Sequence, residues 1–239
     1  MKNRKSVCVV LLLSMILAIS TMASIVSAFP DDAVVEKVFT TYIGEIVVDP
    51  PGIPGTESYN EYIYSDIHWK ADTTVTYSVN LKGAPSGAKD AISASFETWD
   101  DAVNIELFND QVGTASSKVA GNKYDGLNVI SWARLKPGII AQTTTWYNRY
   151  TYEIMEIGMV FNSAYRWTIG GSTNSFDVQD IATHEAGHTL MLLDLYDEAA
   201  SALTMYGMGS YGETYARTLG AGDVSGIQYI YGTGPAFIK

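Results

Sequence analysis

His184-Glu185-Ala186-Gly187-His188-Thr189-Leu190-Met191-Leu192-Leu193-Asp194 is the stretch on which the reading of this chain turns. Its first five residues spell His-Glu-x-x-His. On a helix, residues four apart share a face, one turn above the other. Both imidazoles can therefore reach a single metal ion. Zinc suits such nitrogen donors, at about 2.0–2.1 Å. Glu185 directly follows the first histidine and can face the water that such an ion holds. Zinc brings the pKa of that water to about 7, and a carboxylate beside it can take the proton. The string thus supplies two metal ligands, His184 and His188, and a general base, Glu185. Three fixed positions make a short pattern that recurs by accident. The chain has only 3 histidines, however, and two of them fall in this arrangement.

The rest of the composition narrows the classes. A length of 239 residues suits one domain with processed ends. With 47% hydrophobic residues, 16 tyrosines and 7 phenylalanines, the chain can build a substantial core. Lys2, Arg4 and Lys5 open the sequence, Val7 to Ile25 is apolar apart from small Ser and Thr residues, and Val26-Ser27-Ala28 offers a small-residue cleavage site. Residues 1–28 therefore read as a secretory signal peptide, in preference to an uncleaved membrane anchor. Cys8 is the sole cysteine and would leave with the signal. That removes disulfides, cysteine nucleophiles and cysteine metal sites from consideration. Net charge is −11, and without the three leading cations 12 basic residues face 26 acidic ones, or −14. Such a balance disfavours nucleic acid and anionic membrane as partners.

Residues 29–65 read as an N-terminal segment: a small pro-segment, or an arm packed on the domain that follows. Asp49-Pro50-Pro51-Gly52-Ile53-Pro54-Gly55 within it is linker-like. The main domain spans 66–239. Thr74 to Val79 alternates as a half-buried strand. Ile92, Phe96, Trp99 and Val103 form one helical face, with Ser86 as a candidate cap. Ile105 to Phe108, Asn128 to Ala133, Ile139 to Tyr147 and Ile154 to Phe161 read as strands. A helix from about Phe176 to Met191 carries the histidines, and a last one from about Asp223 to Tyr231 starts at an Asp223 cap. This order describes an α+β domain with a cleft beside the metal helix.

A catalytic zinc usually takes three protein ligands and keeps one open position. His68 is remote in sequence, and the carboxylates downstream of the motif are Asp194, Asp197, Glu198 and Glu213. The wider string resembles that of the metzincin zinc proteases, H-E-x-x-H-x-x-G-x-x-H/D. That resemblance places Asp194 at the third ligand, with Glu213 as the runner-up on the pattern of the glutamate zincins. In metzincins a glycine ends the helix and turns the chain back, because it accepts the left-handed conformation. Here Met191 takes that place, so either the backbone carries about 1–2 kcal/mol of strain or the turn has another shape. Ser201-Ala202-Leu203-Thr204-Met205-Tyr206-Gly207 resembles the methionine turn, with Met205 as an apolar floor under the histidines.

More narrowly, the chain is similar to the matrixins over roughly residues 66–232. Ala221-Gly222-Asp223-Val224-Ser225-Gly226-Ile227-Gln228-Tyr229-Ile230-Tyr231-Gly232 resembles their final helix, and Phe96-Glu97-Thr98-Trp99 their first. Ile157-Gly158-Met159-Val160-Phe161-Asn162 with Trp167 resembles the strand and tryptophan that precede their zinc helix. The resemblance implies a zincin-type fold: a twisted mixed β-sheet, an active-site helix, a methionine turn and a C-terminal helix. It also implies a secreted, monomeric zinc metalloendopeptidase with one catalytic Zn2+ and a protein or peptide substrate. The substrate would pair as an extended strand with Ile139 to Tyr147. Loop carboxylates leave room for Ca2+, without a diagnostic spacing. The pro-segment cysteine and the histidine-rich structural zinc site found in many matrixins have no counterpart. Two other classes share the motif: a zinc-binding module without catalysis, and a zinc hydrolase of a non-protein amide. The presence of Glu185 argues against the first.

Overall fold

The structure, a computed structural model, describes residues 33–44 and 62–232. The expected signal peptide and the Asp49–Gly55 linker lie outside the described residues. In chain order the strands are β1 (Val34–Ile43), β2 (Ile63–Tyr64), β3 (Ser78–Val79), β4 (Gly113–Thr114), β5 (Val129–Ala133), β6 (Ile139–Asn148), β7 (Ile154–Asn162), β8 (Trp167–Thr168), β9 (Phe176–Asp177), β10 (Leu192–Leu193) and β11 (Met208–Gly209). The helices are α1 (Ala88–Asp100), α2 (Val178–Thr189) and α3 (Ala221–Tyr231). This is the mixed α+β architecture that the sequence pattern implied.

Seven strands form one sheet in the order β11-β1-β6-β7-β5-β3-β4. β6 runs antiparallel to both neighbours, β1 and β7, whereas the pairs β1–β11, β7–β5, β5–β3 and β3–β4 are parallel. β6 and β7 are rich in threonine, isoleucine and aromatic residues, which fit a pleated surface covered on both faces. Residues 34–43 fall within the expected N-terminal segment, yet they join this sheet. They pair with β6 from Val34 opposite Asn148 to Tyr42 opposite Ile139.

The core lies between the sheet and the two long helices. Ile92, Phe96 and Trp99 of α1 are completely buried. Phe96 stacks on Tyr77 at 4.3 Å and meets Phe108 edge-on at 4.5 Å. Two polar ties fix α1 against α2: Trp99 Nε1 donates to the Thr183 carbonyl at 2.8 Å, and Ser95 Oγ to the Gln179 carbonyl at 3.0 Å. These are buried donors aimed at carbonyls, so they set the register between the helices as well as their distance.

Four local expectations need correction. Ser86 does not cap α1; Gly87 does, at φ 84°, with no side-chain hydrogen bond. Only Ser78 and Val79 of the 74–79 run are in the sheet, although Val75, Tyr77 and Val79 are buried as the alternation requires. Residues 105–108 make no strand: Phe108 forms a lone bridge with Val75, while the Asp100 carboxylate accepts from the backbone N–H groups of Leu107 and Phe108. That carboxylate takes donors a strand neighbour would otherwise satisfy. Finally, α3 begins at Ala221 after the Gly220 cap, so Asp223 sits inside its first turn.

Candidate metal centre

α2 is anchored at its start. The Asp177 side chain caps the helix by accepting from the Asp180 N–H at 3.0 Å, and the Arg217 guanidinium grips both its oxygens at 2.6 and 2.8 Å. Burial pushes the Asp177 carboxyl up, but Arg217 and the backbone donors outweigh it and hold the group below the usual range. Two turns further on, His184, Glu185 and His188 are buried together, each at most 3% exposed.

Both imidazoles are aimed by backbone carbonyls. His184 Nδ1 donates to the Thr204 carbonyl at 2.7 Å, and His188 Nδ1 to the Leu192 carbonyl at 2.8 Å. A proton held on Nδ1 leaves the Nε2 lone pair free for a metal. The two Nε2 atoms stand 3.1 Å apart, and Asp194 Oδ1 lies 3.3 Å from each. Ligands bound tetrahedrally at about 2.0–2.1 Å would stand about 3.3–3.4 Å from one another. Asp194 Oδ1 is buried without a well-formed hydrogen bond, which is the condition of an atom with room for a cation. The donor set of two nitrogens and one oxygen therefore fits zinc. Burial raises the Asp194 carboxyl, yet the two imidazoles beside it prevail and hold it well below the ordinary carboxylate range.

The helix ends where the chain must turn back. Met191 takes φ 67°, the left-handed conformation, so the turn keeps its shape with a methionine in the glycine position. After it β10 pairs with β2, and Leu195 is held by Met205 and Gly207 through backbone bonds of 2.8 and 2.9 Å. These constraints on both sides bring Asp194 under the histidines. Glu213 is not part of the cluster. Its carboxylate accepts from the Ser210 N–H at 2.7 Å and lines a small cavity beside His184 with Thr41 and Asp180.

Met205 is buried beneath α2. A side chain at Gly187 would run into Met205 Sδ and the Trp99 ring, so glycine lets the methionine turn approach the helix closely. Sequence reasoning missed how that turn is held. The Asp223 carboxylate accepts from the N–H groups of Thr204, Met205 and Gly220 at 2.8, 3.1 and 2.8 Å. Because the Thr204 carbonyl orients His184, Asp223 is tied to the metal centre through one residue. It also missed the surroundings of Glu185, where Thr143 Oγ1 donates to Oε2 at 2.5 Å and Thr41 Oγ1 to Oε1 at 2.8 Å. A threonine in a β-run carries no signal that its hydroxyl meets a carboxylate far away in sequence.

Comparison with known proteins agrees with this geometry. The model of the matrixin family matches residues 68–232. This chain belongs to the matrixin family. Matrix metalloproteinase-20 of Homo sapiens is similar to this matrixin, with 27% identity over 199 residues. The match takes in 78% of this chain and 37% of the human protein, so the chain spans just over a third of that relative's length. Membership makes zinc metallopeptidase chemistry the general expectation for this matrixin.

Proposed function

We propose that this matrixin is a secreted zinc endopeptidase in which His184, His188 and Asp194 hold the metal and Glu185 is the general base. The observation that carries the reading is the convergence of three ligand atoms within 3.3 Å of one another, two from a buried helix that also presents Glu185 and one from the chain that turns back after it. Bound zinc would supply Lewis acidity and an acidified water. The rest of the work falls to the chain's own groups. Glu185 takes a proton from the attacking water and hands it to the departing amine nitrogen. The Thr143 hydroxyl holds the Glu185 carboxylate in one orientation. An extended peptide would pair along β6 in place of β1, which fills that edge here.

Residues 1–28 would direct export, and matrixins as a family are extracellular. Among the described residues no helix is long and apolar enough to cross a membrane. The acidic surface fits a partner that is protein or peptide, not nucleic acid. No described feature favours a non-catalytic module or a non-protein amide.

The test is cleavage of unfolded casein by zinc-loaded protein beginning at Phe29, with β1 released by a cut after it. Cleavage abolished by a zinc chelator and by Glu185→Ala supports the reading. Zinc-loaded, folded protein that cleaves nothing in either form overturns it.

A further inference from the structure

Beside the metal ligands lies a cavity of about 10 Å³, room for about one water. His184 lines it, with Asp180 one turn earlier on α2, Thr41 of β1, and Glu213 and Tyr215 from the chain after β11. Asp180 is 3% exposed. Its Oδ1 accepts from the Ala216 N–H at 2.8 Å, and among the described residues no donor meets its Oδ2. The half-buried Glu213 carboxylate accepts from the Ser210 N–H at 2.7 Å. No lysine or arginine among the described residues lines the cavity. Arg217 follows nearby in the chain, but its guanidinium is taken by Asp177, at 2.6 and 2.8 Å. Two carboxylates thus line one small cavity without a counter-cation. Burying such groups is costly unless opposite charge meets them.

β1 shows which residue of a bound peptide meets this cavity. It runs antiparallel to β6, with Thr41 opposite Ala141, and parallel to β11 on its other side. Thr41 is buried, and its Oγ1 donates to Glu185 Oε1 at 2.8 Å. A peptide on β6 in the same register places one side chain at that point, against Glu185 and over the cavity. Glu185 hands its proton to the departing amine, so this residue is the one that carries the amine. With the threonine gone, the space of its side chain joins the cavity. A lysine stem fills that space, and its ammonium is a compact charge of about a water's size.

We propose that this cavity selects a cationic side chain immediately after the scissile bond, with Asp180 and Glu213 as the charges that receive it. Asp180 and Glu213 are then specificity-determining residues, and the preferred substrates are peptides cut before lysine or arginine. The proposal rests on the peptidase reading for the bond that is cut; the charge preference of the cavity stands apart from it.

Two measurements on the zinc-loaded chain from Phe29 onward test it. The first uses the chain's own residue over the cavity. Thr41→Lys and Thr41→Met both lose the bond to Glu185 and bring unbranched side chains of similar length. The urea midpoint of Thr41→Lys should lie above that of Thr41→Met. Asp180→Asn with Glu213→Gln, which keep the acceptors for Ala216 and Ser210, should abolish that advantage. The second reads, by mass spectrometry, the residue that begins each new fragment of casein, with β1 released as above. Lysine and arginine should begin fragments at least about tenfold more often with the parent than with the Asp180→Asn, Glu213→Gln protein. A lysine advantage at position 41 that needs both carboxylates, without any cleavage, upholds the cavity's preference and defeats the peptidase reading instead. Fragments that begin with the same residues in parent and variant would overturn the proposal. So would a Thr41→Lys chain no more stable than Thr41→Met, or an advantage that persists without the carboxylates.

Discussion

Met191→Gly restores to this chain the residue that the wider metzincin pattern places at the turn after the zinc helix, and the structure sets two effects against each other. The backbone at φ 67° costs a non-glycine residue about 1–2 kcal/mol, which glycine removes. The side chain lost is completely buried, in the cluster that includes Leu190 and Leu192. Truncating a buried methionine costs about 2–5 kcal/mol. Glycine also loses about 0.5–1 kcal/mol through the greater freedom of its unfolded chain. Burial wins, and the net expectation is a loss of roughly 1–4 kcal/mol. Urea unfolding of the zinc-free protein reads this directly: the midpoint should fall with an unchanged slope. A variant more stable than its parent would show that strain outweighs packing at this turn and refute the reasoning.

Asp223→Ala leaves three backbone donors, two of them buried, without an acceptor. It should destabilise by about 3 kcal/mol or more and weaken zinc binding through Thr204 and His184; calorimetric zinc affinity equal to the parent's would contradict the link. Thr143→Val removes the donor to Glu185 Oε2 and should lower kcat more than it changes KM; a change confined to KM would assign Thr143 to peptide binding. Burial, and then the nearby Glu213 carboxylate, push Asp180 up to about 7, with the Ala216 N–H pulling the other way. Because the folded-state value lies above the unfolded one, the stability Asp180 lends is full below about pH 4. It is lost as pH rises through about 7, at up to about 1.4 kcal/mol per pH unit. Asp180→Asn keeps an acceptor for that N–H and should flatten the decline; parallel pH profiles for the two proteins would refute it.

Legibility in the sequence followed the range of the interactions. The family and the α+β architecture came from strings of adjacent residues: the histidine pair on one helix face, the final-helix motif, and the alternating runs of β6 and β7. Helix pairing at four-residue spacing and strand alternation are local rules, so one sequence displays them. Element boundaries failed where a special backbone conformation or a competing side chain took over. Gly87 in the left-handed conformation displaced the Ser86 cap, and Asp100 claimed the N–H groups that a strand over 105–108 would have needed. At the site, the sequence offered Asp194 and Glu213 as third carboxylates, and only the folded turn at Met191 shows which one stands beside the imidazoles. Thr41, Thr143 and Asp223 were invisible for a simpler reason. Each acts on a partner 18 or more residues away, and no periodicity records such a contact. The entry of residues 34–43 into the sheet was hidden likewise, since strand order is a property of the assembled sheet.

The central claim is that His184, His188 and Asp194 hold one catalytic zinc, and zinc stoichiometry with X-ray absorption at the zinc edge tests it most directly. One zinc per chain is expected, with two imidazole nitrogens and a carboxylate oxygen at about 2.0–2.1 Å. Asp194→Ala should lose the bound metal at low zinc, while Glu213→Ala should keep it. Folded protein without zinc, or a site that survives Asp194→Ala and is lost in Glu213→Ala, would contradict the account.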